Sequence, residues 1–155
     1  MTLVEAPLGE VGVFAGMHPD HLALLAGCAR HAIFHPGDVL LREGDPADTL
    51  YVIRHGTVAI ETFVQTRGLV PIETVGAGNV VGWSWLFPPY RLHFDARALS
   101  LVRATAIDGA CLREKFSQDP ALGYDVLSHL AQVLIERLQA TRLRLLDVYA
   151  NPGQG

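Results

Sequence analysis

The chain has 155 residues, half of them hydrophobic, which is enough for one domain with a sizeable core and too short for a second large one. Twelve Lys and Arg against sixteen Asp and Glu leave a formal charge of −4, which argues against broad binding along a nucleic-acid backbone, where affinity is carried by clustered cations. No apolar run approaches the ~20 residues a bilayer-crossing helix needs, and residues 1–10 lack both a basic start and a long apolar stretch. The expected location is therefore the cytoplasm, with no membrane contact.

After an N-terminal segment (residues 1–18), His18-Pro19-Asp20 precedes Leu22, Leu24, Leu25 and Cys28, the pattern of Pro at the first helical position followed by an amphipathic helix over residues 19–29. From His31 to Ile107 the character changes to short β-rich runs, among them Val39-Leu40-Leu41, Leu50-Tyr51-Val52-Ile53 and Thr57-Val58-Ala59-Ile60. They are punctuated by Pro36-Gly37-Asp38, Glu43-Gly44-Asp45-Pro46, His55-Gly56 and Gly76-Ala77-Gly78-Asn79. Such turns need a positive φ or a side chain that bonds its own backbone, and their short intervals favour an antiparallel roll over βαβ units. Cys28 and Cys111 are far apart in the chain and match no metal or redox spacing, so two buried free thiols are expected.

At Asp119 the pattern changes again: Asp as N-cap, Pro120 in the first turn, and a helix of about 30 residues ending near Tyr149. Leu127, Ala131, Leu134, Leu138, Thr141, Leu145 and Val148 alternate spacings of four and three, a short a/d seam suited to a second copy of the chain. The same residues could instead cover the roll of their own chain. Charges on this helix balance, Arg137, Arg142 and Arg144 against Asp125, Glu136 and Asp147, which suits pairing or solvation rather than DNA reading. The division is thus residues 1–18, a roll over 19–118 and a long helix over 119–150.

Residues 34–58, with Pro36-Gly37, Glu43-Gly44-Asp45, Leu50-Tyr51 and Gly56-Thr57-Val58, closely resemble the first half of the cyclic nucleotide-binding domain of the catabolite activator and fumarate-nitrate regulator type. The resemblance continues through Gly76, Gly78, Val80-Val81-Gly82, Leu86-Phe87, Arg97-Ala98 and Arg137-Leu138-Gln139-Ala140-Thr141. It implies a mainly β fold with flanking α: a jelly-roll-like β-roll, or double-stranded β-helix, with an N-terminal helix and a long C-terminal dimerisation helix. It also implies a non-enzymatic regulatory domain that takes cyclic AMP or an altered ligand, needs no cofactor or metal, and signals through a homodimer (Leu127, Leu134, Leu138, Leu145) to an unidentified protein partner. In transcription factors of this type a helix-turn-helix follows the long helix. Here the sequence stops at Asn151-Pro152-Gly153-Gln154-Gly155, so direct DNA binding is not expected.

The family's phosphate-binding cassette sets a glycine and a ribose-binding glutamate before a short helical turn whose free amides face the phosphate, and an arginine further along completes the charge pairing. Gly82 is present, but Trp83 stands at the glutamate position, followed by Ser84, Trp85 and Leu86. Counting back from Arg97-Ala98 puts Leu92 where the arginine falls, with Arg91 one residue off and able to reach the same space if Pro88-Pro89 shifts the loop. Thr141 matches the threonine that meets adenine, and Arg142 stands where the partner's serine is often found. The candidate ligand contacts are therefore Gly82, Trp83, Ser84, Trp85, Leu86, Arg91, His93 and Asp95 in the cassette, with Thr141 and Arg142 on the long helix. Two readings stay open for the two tryptophans: an aromatic-lined cavity for a flatter, more apolar ligand, or a ligand-free interaction protein whose pocket Trp83, Trp85 and Leu92 fill. The seven histidines are scattered over different segments, which points away from metal chemistry; His18 and His21, at helical spacing, are expected at the surface.

Overall fold

A computed structural model describes residues 12–150; the N-terminal stretch before them and the Asn151-Pro152-Gly153-Gln154-Gly155 tail lie outside the described residues. Helix α1 spans Pro19–Ala26, with His18 as N-cap accepting from the Asp20 amide. It ends three residues earlier than the apolar pattern suggests, because Ala29 is already the first residue of strand β1, Ala29–Phe34. The strands that follow are β2 Val39–Leu41, β3 Thr49–His55, β4 Val58–Val64, β5 Gly68–Val75, β6 Val80–Val81, β7 Asp95–Ala98 and β8 Val102–Asp108. Between β6 and β7 lies a single 3-10 turn, Trp83–Leu86. Helices α2, Gly109–Gln118, and α3, Pro120–Ala150, complete the chain.

The strands form two four-stranded antiparallel sheets, ordered β1-β8-β3-β6 and β2-β7-β4-β5. Alternation on β3 shows how one strand serves two cores. Tyr51 and Ile53 face the space between the sheets with Ile60, Val81, Ala96 and Val102, whereas Leu50 and Val52 face the helices with Leu25, Ile107, Leu112, Leu122 and Val126. A strand covered on both faces reads as a continuous apolar run, and Leu50-Tyr51-Val52-Ile53 is one. Tight turns fix the layers. At Gly56, φ is 93° and a Cβ would sit 2.2 Å from the Leu101 carbonyl oxygen, so only glycine fits.

The two cysteines are not free thiols: Cys28 and Cys111 form a disulfide across 83 residues of sequence. The sheet register is the reason. Ala29 pairs with Ile107, the Asp108 amide donates to the Cys28 carbonyl at 2.9 Å, and the first turn of α2 then brings Cys111 to a Cα separation of 5.7 Å. Sequence distance was a poor guide because β1 and β8 are sheet neighbours. Helix α2 itself has no counterpart in the sequence pattern; Asp108 caps it by accepting from the Cys111 amide at 2.7 Å.

Helix α3 buries Leu122, Val126 and Leu130 against the helical side of the roll. This stripe is offset from the predicted seam. Leu127, Leu138 and Leu145 are 37%, 50% and 55% exposed, and every residue from Leu138 to Ala150 is exposed. Most of the seam therefore lies off the roll of its own chain, with Leu134 the partly buried exception.

Candidate functional site

A cavity opens inside the roll where the 3-10 turn meets the β2-β7-β4-β5 sheet. It is lined by Leu41, Ile60, Val81, Gly82, Trp83, Ser84 and the run Leu92-His93-Phe94-Asp95-Ala96. It leaves about 50 Å3 in which the centre of a water molecule can sit. Gly82 shapes its floor: φ is 87°, and a Cβ there would meet the Thr49 carbonyl oxygen at 2.5 Å. The backbone therefore turns sharply out of β6, and the next four residues coil into the 3-10 turn.

That coil sends the two tryptophans to opposite environments. Trp83 stays partly exposed and borders the cavity. Trp85 is fully buried on the helical side, 6.1 Å from the Phe116 ring and so close to α2 that a Cβ on Gly109 would lie 2.7 Å from its own Cβ. Its Nε1 has no hydrogen-bond partner among the described residues, and the Arg113 guanidinium donates to its carbonyl. Leu86 packs against the same core cluster that holds Trp85. The expectation that Trp83 and Trp85 together fill the pocket is thus corrected: the turn of helix cannot hold both rings on one side, and the core claims Trp85.

Leu92, the residue that counting along the sequence set against the family's phosphate arginine, is buried at the cavity wall. Arg91 does not replace it. Arg91 pairs with Pro46 in an isolated bridge, is exposed, and reaches only as far as the Gly44 carbonyl at 3.5 Å. Flanking backbone bonds, Gly44 amide to Leu92 carbonyl at 2.9 Å and Leu92 amide to Asp45 carbonyl at 3.0 Å, hold this register, so Leu92 faces in and Arg91 out. His93 and Phe94 sit at the exposed rim. The Asp95 carboxylate accepts from the Glu43 amide at 2.7 Å. Deeper in the same sheet, Arg97 binds the buried Glu61 carboxylate at 2.6 and 3.0 Å.

Trp83 also borders a second hollow outside the roll, a groove formed with Glu73, Leu134, Arg137, Leu138 and Thr141. Here Arg137, nearly buried, is the organiser. It donates to both Glu73 oxygens at 3.0 and 2.8 Å and to the Val80 carbonyl at 2.7 Å, and its guanidinium carbon lies 4.7 Å from the centre of the Trp83 ring. In the sequence Arg137 stands out only as the first residue of a longer family-like string, and Glu73 carries no motif signal at all. Thr141 lies in this groove, with its hydroxyl donating to the Arg137 carbonyl at 2.9 Å and accepting from Arg144 at 3.3 Å. Arg142 is exposed and borders neither hollow. Cassette and long helix thus come together at Trp83, Arg137 and Thr141, while Trp85, Leu86, Arg91 and Arg142 stand apart.

Away from the cavity, Asp125 on α3 joins α1. His21 Nδ1 is 2.6 Å from Asp125 Oδ2, and His129 Nδ1 is 3.3 Å from Asp125 Oδ1. The hydrogen bond from His21, aided by the His18 amide, holds the carboxyl below its ordinary value against a smaller opposing effect of burial. No group of three or more His, Cys, Asp or Glu among the described residues is arranged to hold a metal ion.

The cyclic nucleotide-binding domain pattern matches residues 32–119, more than half of the chain. A CRP-like cAMP-activated global transcriptional regulator from Mycobacterium tuberculosis is 28% identical over 141 residues, which cover 91% of this chain and 61% of the regulator, so the chain spans about three fifths of that relative's length. A solved cyclic nucleotide-binding protein from Geobacter metallireducens superposes with a TM-score of 0.76 at 30% identity, covering 89% of this chain and 99% of that one. A cyclic nucleotide-binding domain from Methylobacillus flagellatus, 23% identical with a TM-score of 0.77 over 93% of this chain and 81% of its own, shares the fold. The matched residues take in strands β2 to β8, the Gly82-led 3-10 turn and helix α2, and the chain belongs to the cyclic nucleotide-binding domain family.

Proposed function

We infer that the chain senses a small ligand in the roll and passes the signal through a dimer formed by α3. The observation that carries this reading is the double position of Trp83, which borders the inner cavity and also meets Arg137 at 4.7 Å under the long helix. A ligand that moves the indole changes the contact that docks the helix. Support for the dimer comes from the seam of Leu127, Leu138 and Leu145, all exposed, with Leu134 partly so, continued by Leu143, Leu146, Val148 and Tyr149, since an apolar face of this length is unusual on a monomer's surface. A protein partner receives the signal. Direct DNA contact by residues 12–150 is no part of the reading, because cations on α3 are matched by acids. Catalysis is likewise no part of it.

The reading keeps the protein in the cytoplasm, where thiol pools hold most cysteine pairs reduced. Cys28 and Cys111 are then expected to respond to the redox state around them. The ordinary ligand of the family is cyclic AMP, and Trp83 and Leu92 in place of a carboxylate and an arginine support an altered preference. Titration with cyclic AMP and cyclic GMP, followed by tryptophan emission and by sedimentation velocity, tests the reading. Saturable binding with a dimeric chain supports it. A monomer at ~100 μM with Leu138→Lys indistinguishable from wild type refutes the dimer, since loss of an a/d contact is strongly destabilising to a coiled-coil pair.

A further inference from the structure

Granted that the roll senses a ligand, its cavity walls narrow the occupant further than family membership does. Leu41, Ile60, Val81, Leu92 and Phe94 give it apolar sides, with Trp83 as the aromatic one. Polar side chains are few: Ser84, His93 and an Asp95 already bonded to the Glu43 amide. Three arginines of the surrounding elements are committed elsewhere. Arg91 lies outside against Gly44, Arg97 is held by Glu61, and Arg137 is held by Glu73 and the Val80 carbonyl. A phosphate beside Leu92 would lose its water, find no Lys or Arg among the residues lining this cavity and meet the Asp95 carboxylate. Burying an anion on those terms is strongly unfavourable.

Size points the same way. Space of about 50 Å3 for water centres holds roughly three to five waters, at about 10–15 Å3 for each. That is about a third of the roughly 150 Å3 of an apolar cavity that takes benzene, so a single ring fits only with part of it at the open rim, and a base, ribose and cyclic phosphate together fall far outside it. We propose, resting on the ligand-sensing reading, that the cavity takes a compact, uncharged molecule built on a single aromatic ring, packed between Trp83, Phe94 and Leu92, with Ser84 or His93 serving one hydroxyl at the rim.

Benzyl alcohol and benzoate are nearly the same shape and differ in charge, so they are the probes, with cyclic AMP beside them. Ligand-detected saturation-transfer NMR on the whole chain compares wild type, Leu92→Trp, which fills the cavity, and Leu92→Arg, which restores a cation; thermal melts confirm that each variant folds. Benzyl alcohol is expected to saturate below about 1 mM, a modest demand for so small a ligand, with benzoate at least about tenfold weaker. Leu92→Trp should abolish the signal, and Leu92→Arg should reverse the preference. Should Leu92→Trp fail to fold, the reversal in Leu92→Arg decides. Equal binding of the two probes, or benzyl alcohol binding that survives Leu92→Trp, overturns the proposal. Tight binding of cyclic AMP without benzyl alcohol overturns the ligand class and leaves the sensing reading standing. Silence from all three probes overturns both.

Discussion

Replacing Arg137 by Met should loosen the long helix from the roll and can be sized from its contacts. Arg137 makes two bonds to Glu73 and one to the Val80 carbonyl, all at 3.0 Å or less, with side-chain exposures of 11% for Arg137 and 20% for Glu73. Breaking a well-buried pair by removing one partner costs about 3–5 kcal/mol, because the other charge is left without compensation. Some water still reaches this one, and Met keeps part of the aliphatic packing, so the lower end, about 3 kcal/mol, is expected. At roughly 2–4 °C per kcal/mol for a chain of this size, the melting temperature should fall by about 6–12 °C. Glu73→Gln removes the other charge. The double variant should cost at least about 1 kcal/mol less than the two singles summed, since both attack one interaction. Emission from Trp83 should change in Arg137→Met as its cationic neighbour leaves, over a constant background from buried Trp85. Additivity of the two substitutions within about 0.5 kcal/mol would show that the pair does not act as a unit and would refute the argument.

Reduction of the Cys28–Cys111 bond, or Cys28→Ser with Cys111→Ser, should cost about 4–5 kcal/mol in chemical denaturation. That figure follows from the chain entropy of a loop spanning a separation of 83 residues, and equal stability with and without dithiothreitol would contradict it. Asp125 has a folded-state pKa below its ordinary 3.8, so its contribution to stability is fully present above that value and is lost as pH falls through the lower folded one. Denaturation midpoints of Asp125→Asn should therefore fall less steeply than those of wild type below about pH 4, and parallel curves would speak against the His21 contact. Gly82→Ala adds a Cβ 2.5 Å from the Thr49 carbonyl oxygen at a φ of 87°. It should cost about 2 kcal/mol or more and alter Trp83 emission, and a silent substitution would mean that the cassette backbone is not held as described.

The roll was legible because its signals are local. Pro36-Gly37, Gly44-Asp45 and Gly56 sit at turns where φ must be positive or a side chain must bond the backbone, and Gly37, Gly44 and Gly56 all adopt φ near 90°. Between such turns the apolar runs have little choice but to be strands. Helix α2 was missed for the complementary reason. Its sequence, Gly-Ala-Cys-Leu-Arg-Glu-Lys-Phe-Ser-Gln, opens on a glycine, a poor helix residue, and buries only Gly109 and Leu112. That glycine is there for Trp85, whose Cβ leaves no room for another, and a contact between residues so far apart leaves no periodic trace in the sequence.

The cassette shows why site chemistry is harder to read than fold. Counting residues placed Leu92 where an arginine was sought, and the structure buries Leu92 in the cavity wall. The same counting could not tell whether Arg91 would compensate, because that depends on the ladder between Gly44, Asp45 and Leu92, which fixes the direction of every side chain in the loop at once. Shifting a register by one residue exchanges inside for outside. Leu92 in and Arg91 out is therefore a single structural decision, and it removes the cation from the cavity and supplies the apolar wall in one step. Arg137 completes the logic from the other side: with Glu73 as its partner and Trp83 as its platform, it meets an indole at the position that counting along the cassette assigned to a ribose-binding carboxylate. An arginine committed to the helix-roll contact in this way is not available to a phosphate, so the residues that dock the long helix also argue for a neutral occupant.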